Sequence, residues 1–339
     1  MRITLIQKKQ TTVAITIFLV GALLLILGVM ISIMYGTSGV SWRDGWQALF
    51  LFNSEVDIHI LIHELRLPRV LGAMLVGACM AVSGAIMQGI TRNPMADPSV
   101  LGLSQGAGLA LCIAMVLSPL LNHFQLMLVS FLGAGLSILF VYVISIFSPG
   151  GMTSVKMILA GTVISYLFGS LSSGLAIYFE ISKDMAFFYA GGLSMVRWPE
   201  VSLLLPIGLI CLLITMFLSR SISILSLGEE IATNLGQRTF LTKLLAIALV
   251  ALMTGVSVSV AGAIGFIGLV IPHIVRSLVG QDYRLIIPCS AMLGGVLLTY
   301  ADLVARWVQF PYETPVGALT AVLGVPFFLY LARKQWRGM

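Results

Sequence analysis

The sequence predicts an all-α polytopic membrane protein, and three observations carry that expectation. Only 9% of its 339 residues are charged, whereas 59% are hydrophobic; soluble domains hold about 25% charged residues. Mean hydropathy is +1.05. Charge-free stretches recur at the length of a membrane-crossing helix, about 20 residues for a hydrocarbon core about 30 Å thick.

Segments 10–42, 70–91, 98–155, 157–179, 201–219, 244–275, 285–301 and 314–332 contain no Asp, Glu, Lys or Arg. The first holds one span near residues 13–34 and then a polar, turn-rich exit from Tyr35 to Ser41. Segment 98–155 must hold two helices, because Ser118-Pro119 and Asn122-His123 place a turn in its middle. Segment 244–275 is too long for one untilted crossing and is glycine-rich from Gly262 to Gly268, so it divides there, the second half running on to about Val279. The expectation is about ten transmembrane helices in a single domain over residues 1–339.

An even number of crossings puts both termini on one side. Cytoplasmic termini assign 13 basic and 4 acidic residues to the inner loops, against 6 basic and 9 acidic to the outer ones, which is the bias the positive-inside rule requires. The first apolar run exceeds a signal-peptide core and no A-x-A site follows it, so it reads as a retained span. Gly84-Ala85-Ile86 followed by Pro94, and Gly262-Ala263-Ile264 followed by Pro272, share one spacing and suggest two five-helix halves of inverted topology. Cys79, Cys112, Cys211 and Cys289 fall inside spans without metal-ligand spacing and read as small core residues.

Two energy sources are absent from the pattern. No G-x-x-x-x-G-K-[ST] occurs and none of the six lysines follows a glycine, so no phosphate-cradling loop of that kind exists. Every charge sits at or near a span end, whereas ion-coupled carriers keep ionisable groups at mid-membrane depth. In the loop from Ser219 to Lys243, Gly228 and Gly236 bracket a stretch with Glu229 and Glu230 in its first turn, where the helix dipole favours acids. It reads as a short cytoplasmic helix, either a solvated connector or a docking element for a partner that supplies energy. Gly102-Leu103-Ser104-Gln105-Gly106 matches G-x-S-x-G, but a nucleophile elbow needs a preceding strand. His59 and His63 stand one helical turn apart beside Glu64, a weak metal pattern, and no metal site or cofactor is expected.

The chain resembles the permease subunits of iron-siderophore, haem and vitamin B12 ABC importers. The resemblance rests on RLPR (Arg66 to Arg69), SGAIMQGITRNPMADPSVLGLSQGAG (Ser83 to Gly108), LGEEIATNLG (Leu227 to Gly236), GFIGLVIPHIVRSLVGQDYR (Gly265 to Arg284), ADLVAR (Ala301 to Arg306) and PVGALTAVLGVPFF (Pro315 to Phe328). It implies a non-enzymatic subunit of the bacterial cytoplasmic membrane that pairs with a second permease copy or paralogue. Its further partners would be two cytoplasmic ATP-binding subunits and an extracytoplasmic substrate-binding protein, with lipid around the spans and no nucleic acid. The implied cargo is an iron(III)-siderophore, with vitamin B12 and haem as alternatives; an ion-coupled secondary carrier is the rival of another class.

The resemblance also implies site residues. Arg66, Arg69 and Arg306 would receive acidic residues of the binding protein, since guanidinium forks match carboxylates; arginines at helix ends can equally snorkel. Asn93 and Met95, with Ser148, Pro149, Gly150 and Gly151, would form the cytoplasmic gate. Leu227, Gly228, Glu229, Glu230, Ile231, Ala232, Leu235 and Gly236 would couple to the ATPase. Ser165, Ser172 and Ser173 would line the passage, although serines in a span are commonly packing residues.

Overall fold

The computed structural model describes residues 2–35, 40–148, 154–309 and 312–336. Fourteen α-helices and no strand occur among them. Seven segments are long and apolar enough to cross a membrane: Lys9–Met34, Asp57–Thr91, His123–Phe147, Lys156–Tyr178, Trp198–Ser226, Thr239–Ala261 and Tyr283–Val308. Three shorter apolar helices, Leu103–Leu117, Ile267–Val279 and Val316–Tyr330, accompany them. Both divisions read from the sequence fall where turn chemistry put them. Helix α5 (Leu103–Leu117) ends before Ser118, and α6 (His123–Phe147) starts at an Asn122 cap whose side chain accepts from the Gln125 amide. Helix α11 (Thr239–Ala261) stops at Gly262, held at φ +71°, and α12 (Ile267–Val279) restarts five residues later.

Helix α4 (Leu67–Thr91) is the central post. Of the most apolar window of its span, 89% is buried, against 17% for α1 (Arg2–Met34). Water offers no hydrophobic drive between helices inside a membrane, so close approach must come from small residues. Gly77 and Gly84 lie two turns apart on one stripe of α4. A Cβ on Gly77 would strike the carbonyl of Gly294 in α13 (Tyr283–Val308), and one on Gly84 would overlap the backbone of Gly268 in α12. Gln88, one turn further on, donates to the carbonyl oxygens of Gly268 (3.1 Å) and Leu269 (3.3 Å), and accepts from Arg276 Nη2 at 2.8 Å. Thus α4 and α12 are joined by backbone contact and by a buried polar clasp.

Two helices begin inside the bundle. After α4, the chain turns at Arg92 (φ +53°), folds back through residues 93–102, and starts α5 where the Gly102 carbonyl accepts from Ser137 Oγ, 2.8 Å away in the middle of α6. At the opposite end, residues 262–266 re-enter after α11 and α12 starts beside the middle of α4. The two breaks have opposite direction, as inverted halves require. The repeated Gly-Ala-Ile motif does not mark them: Gly84 lies inside α4, whereas Gly262 is the first residue beyond α11.

The remaining long helices are α7 (Ser154–Tyr178), α9 (Trp198–Ser226) and α14 (Val316–Trp336). Four short helices escape the charge-gap reading: α2 (Trp42–Phe50), α3 (Asp57–Leu61), α8 (Ser182–Ala190) and α10 (Glu229–Asn234). Only the last of these is anticipated by its bracketing glycines. A π-helical turn, Ile62–Arg66, joins α3 to α4.

Candidate functional site

Two ends of the bundle carry the chemistry. At one, Arg66 and Arg69 open α4 and Arg306 closes α13. The sequence reading has all three available to an outside partner, but their relative exposures are only 7%, 8% and 8%. Asp302, 1% exposed and one turn before Arg306, holds two of them, Arg69 and Arg306. Arg69 donates from Nε and Nη2 to Asp302 Oδ1 at 3.0 and 2.8 Å, and Arg306 Nη2 donates to the other carboxylate oxygen. Arg69 also reaches Glu313 Oε1 at 2.6 Å, and that acid is 44% exposed at its side chain. Arg66 donates to the Ile33 carbonyl at the end of α1, and Arg306 to that of Ser32 at 3.3 Å. A buried carboxylate is tolerated when its charge is paired and its lone pairs are filled; Asp302 has both. The network therefore ties α1, α4 and α13 together, and one guanidinium nitrogen of Arg69 faces an exposed acid.

At the other end, α10 begins at Gly228, whose φ of +139° only glycine adopts readily. A Cβ there would sit 3.8 Å from the Arg92 guanidinium at the end of α4. Ala232 is fully buried against the bundle, and Lys243 Nζ of α11 holds Glu229 Oε2 at 2.6 Å. Gln237 donates to the Ser221 carbonyl of α9 at 2.9 Å. So α10 is braced on α9 and α11 while its outer edge carries Leu227, Ile231 and Leu235, exposed by 60%, 48% and 66%. Ile231 and Leu235 stand one turn apart, on α10 and at its C-terminal cap, and Leu227 caps α9 just before Gly228 breaks the chain into α10. Glu230 is also exposed, and Gly236 closes the element at φ +77°.

The expected gate residues lie at this same end. Asn93 and Met95 are half-buried, and the Asn93 side chain accepts from the Met95 amide at 2.9 Å. Asp97 caps the 3-10 turn Pro98–Leu101 through a 2.8 Å bond from the Ser99 amide. Burial pushes the Asp97 carboxyl above the usual range, and its bond to Ser99 offsets only part of that. Ser148 caps α6 and is half-buried; Pro149, Gly150 and Gly151 lie outside the described residues.

The three serines of α7 divide. Ser173 is exposed on the face that also presents Tyr166 and Ile177. Ser165 is half-buried and donates back to the Gly161 carbonyl. Ser172 is completely buried instead of lining a passage: Tyr189 Oη of α8 donates to its hydroxyl at 3.3 Å, and Cys112 of α5 lies 3.5 Å from its carbonyl. Its helical face turns into the bundle, so it is a packing residue.

The weaker patterns acquire ordinary explanations. Ser104 sits in the first turn of α5 after a 3-10 turn, so no strand presents it as a nucleophile elbow would. His59 Nδ1 accepts from the Asn53 amide at 3.0 Å, and the His63 ring packs on Phe52 at 4.7 Å. Among the described residues no group of three His, Cys, Asp or Glu is placed to hold a metal. His273 meets the Phe327 ring edge-on at 5.7 Å.

A helical bundle around a buried central post, with two helices interrupted within the membrane, is the architecture of a polytopic transport subunit. The chain belongs to the FecCD transport family, whose model matches residues 5–334. It is 50% identical over 331 residues to the iron(3+)-hydroxamate import system permease protein FhuB of Bacillus subtilis, covering 98% of this chain and 86% of that protein. It is 41% identical over 309 residues to the iron-uptake system permease protein FeuB of the same organism, covering 91% and 92%. Among solved structures, one described as an inward-facing conformation of a metal-chelate type ABC transporter superposes with a TM-score of 0.82 at 29% identity. It covers 94% of this chain and 99% of that one.

Proposed function

We propose that this protein is the membrane-spanning subunit through which an iron(III)-siderophore of the hydroxamate type crosses the bacterial cytoplasmic membrane. ATP hydrolysis takes place in a separate subunit docked at α10. Half-identity over nearly the whole chain to a permease named for iron(3+)-hydroxamate import supports the cargo. The observation that carries the mechanism is the set of exposed apolar side chains on α10 and its two flanks, Ile231 with Leu227 and Leu235, beyond the spans. Contiguous apolar surface outside a membrane marks a protein contact, which favours a docking element over a solvated connector.

In this mechanism the spans pair with those of a second permease subunit, and both termini face the ATPase. Force on α10 passes to α9 through Gln237 and Ser221, to α11 through Glu229 and Lys243, and to the end of α4 beside Gly228. Residues 92–102, with Asn93 and Met95, then form the cytoplasmic gate, and the exposed Ser173 face of α7 borders the passage. At the opposite end an extracytoplasmic binding protein docks by exchange: its carboxylate replaces Glu313 at Arg69 Nη1, while Asp302 keeps Arg69 and Arg306 positioned. Alternating exposure of the passage requires partners that bind the two arrangements unequally.

The docking test is direct. Ile231→Asp combined with Leu235→Asp is expected to cut co-purification of the ATPase subunit at least tenfold while the permease remains folded in the membrane. Glu229→Lys is a poorer probe, because it also breaks the pair with Lys243. Undiminished co-purification of the double variant would remove α10 as the docking element.

A further inference from the structure

We propose that α2 is an interfacial anchor: it lies in the surface of the bilayer at the arginine end of the bundle, with Trp42, Trp46 and Phe50 sunk into the boundary between lipid headgroups and acyl chains. Its nine residues are too few to cross a membrane, and its start is fixed in polar surroundings by a capping box. Ser41 Oγ accepts from the Asp44 amide at 3.2 Å, and Asp44 Oδ2 accepts from the Ser41 amide at 3.1 Å. The Ser41 hydroxyl also donates to Asp44 Oδ2 at 2.6 Å, and that bond, with the one from the Ser41 amide, holds the Asp44 carboxyl below the usual carboxylate range. The helix buries Gly45 and Ala48 against the protein. On the opposite side Trp42, Trp46 and Phe50, spaced i, i+4 and i+8, are exposed by 57%, 50% and 66%, with the Trp46 and Phe50 rings 4.5 Å apart. Leu51 and Phe52 extend this surface.

Three observations say what covers it. The first is position: Gly45 lies against Ile33 and Met34, and Trp42, Trp46 and Leu49 share a cleft with them and Met30, so α2 sits at the end of α1. A helix placed so lies at the depth where the apolar span stops. The second is continuity, since α1 is a perimeter helix whose flank, with Leu19, Leu23 and Ile26 exposed by 57% or more, is already lipid-facing. The third is chemistry. Tryptophans gather at membrane interfaces because one edge is apolar and the other carries a donor, and four of the five tryptophans, Trp42, Trp46, Trp198 and Trp307, occur at this end of the bundle. Arg43, exposed beside the aromatic face, supplies a cation for lipid phosphate.

The test uses the full chain reconstituted in vesicles of phosphatidylethanolamine and phosphatidylglycerol. Nitroxide labels go on single cysteines at Trp42, Trp46 and Phe50, with Leu23 as the lipid reference and Glu55 as the aqueous one; the native cysteines are all buried. Power saturation is expected to show labels at 42, 46 and 50 more accessible to oxygen than to a water-soluble nickel chelate, as at 23, with the order reversed at 55. Labels matching position 55 would put the face in water, and labels shielded from both reagents would put it against protein; either result overturns the proposal. If the cysteine variants fail to fold, the unlabelled protein suffices. Quenching of tryptophan fluorescence by lipids brominated near the headgroup should drop markedly in the Trp42→Phe, Trp46→Phe variant, and unchanged quenching has the same overturning force.

Discussion

Gly84→Val is expected to abolish accumulation of folded protein, or to leave a variant destabilised by about 3 kcal/mol or more, at the upper end of overpacking costs. A Cβ at residue 84 meets backbone atoms of Gly268, including its carbonyl oxygen, and not the tip of a side chain that could rotate away. The helices α4 and α12 would have to part, and that would open the Gln88 bonds to Gly268 and Leu269 and draw Arg276 from Gln88. Gly135→Ala in α6 is the control, because nothing lies within 4 Å of that position; there the better helix propensity of alanine is expected to leave stability equal or slightly raised. Thermal unfolding in detergent, followed by monodisperse elution, distinguishes the two. Equal behaviour of both variants would show that α4 and α12 do not depend on this contact.

The second large effect is expected from Asp302→Ala. It leaves Arg69 and Arg306 with buried guanidinium groups and no common carboxylate, and breaking a buried pair in this way costs about 3–5 kcal/mol. The same principle gives an internal check: replacing Arg69, Asp302 and Arg306 together with apolar residues of similar size should recover most of the lost stability. Unfolding midpoints of the single and triple variants measure both terms. A triple variant no better than Asp302→Ala would mean that shape, not charge, holds this end together. The exchange proposed at Arg69 adds a functional contrast, since Glu313→Gln should leave stability nearly unchanged and tighten docking of the binding protein.

Much of the fold was legible because lipid imposes a length on every apolar run and turn residues interrupt the long ones. Pro119, Asn122 and Gly262 divide the chain where the helices divide. The element α10 was legible for a local reason, as Gly228 and Gly236 both hold positive φ. What stayed hidden depends on distant partners or on helical facing. Asp302 and Glu313 stand 233 and 244 residues from Arg69, so an arginine at a helix end read as available when its charge was already spent. Ser172 looked like Ser173, yet one step of 100° turns it into the bundle. Helix α2 was concealed because Arg43 and Asp44 make its segment resemble a loop, although Trp42, Trp46 and Phe50 at fourfold spacing carried the signal.

The most direct test of the central claim is uptake of radioactive iron, presented as a hydroxamate chelate, into vesicles containing this protein. The account predicts concentrative uptake only when the ATP-binding subunit, the binding protein and ATP are all supplied, with no response to an imposed proton or sodium gradient. Uptake by this protein without the ATP-binding subunit, rising with such a gradient, would contradict it.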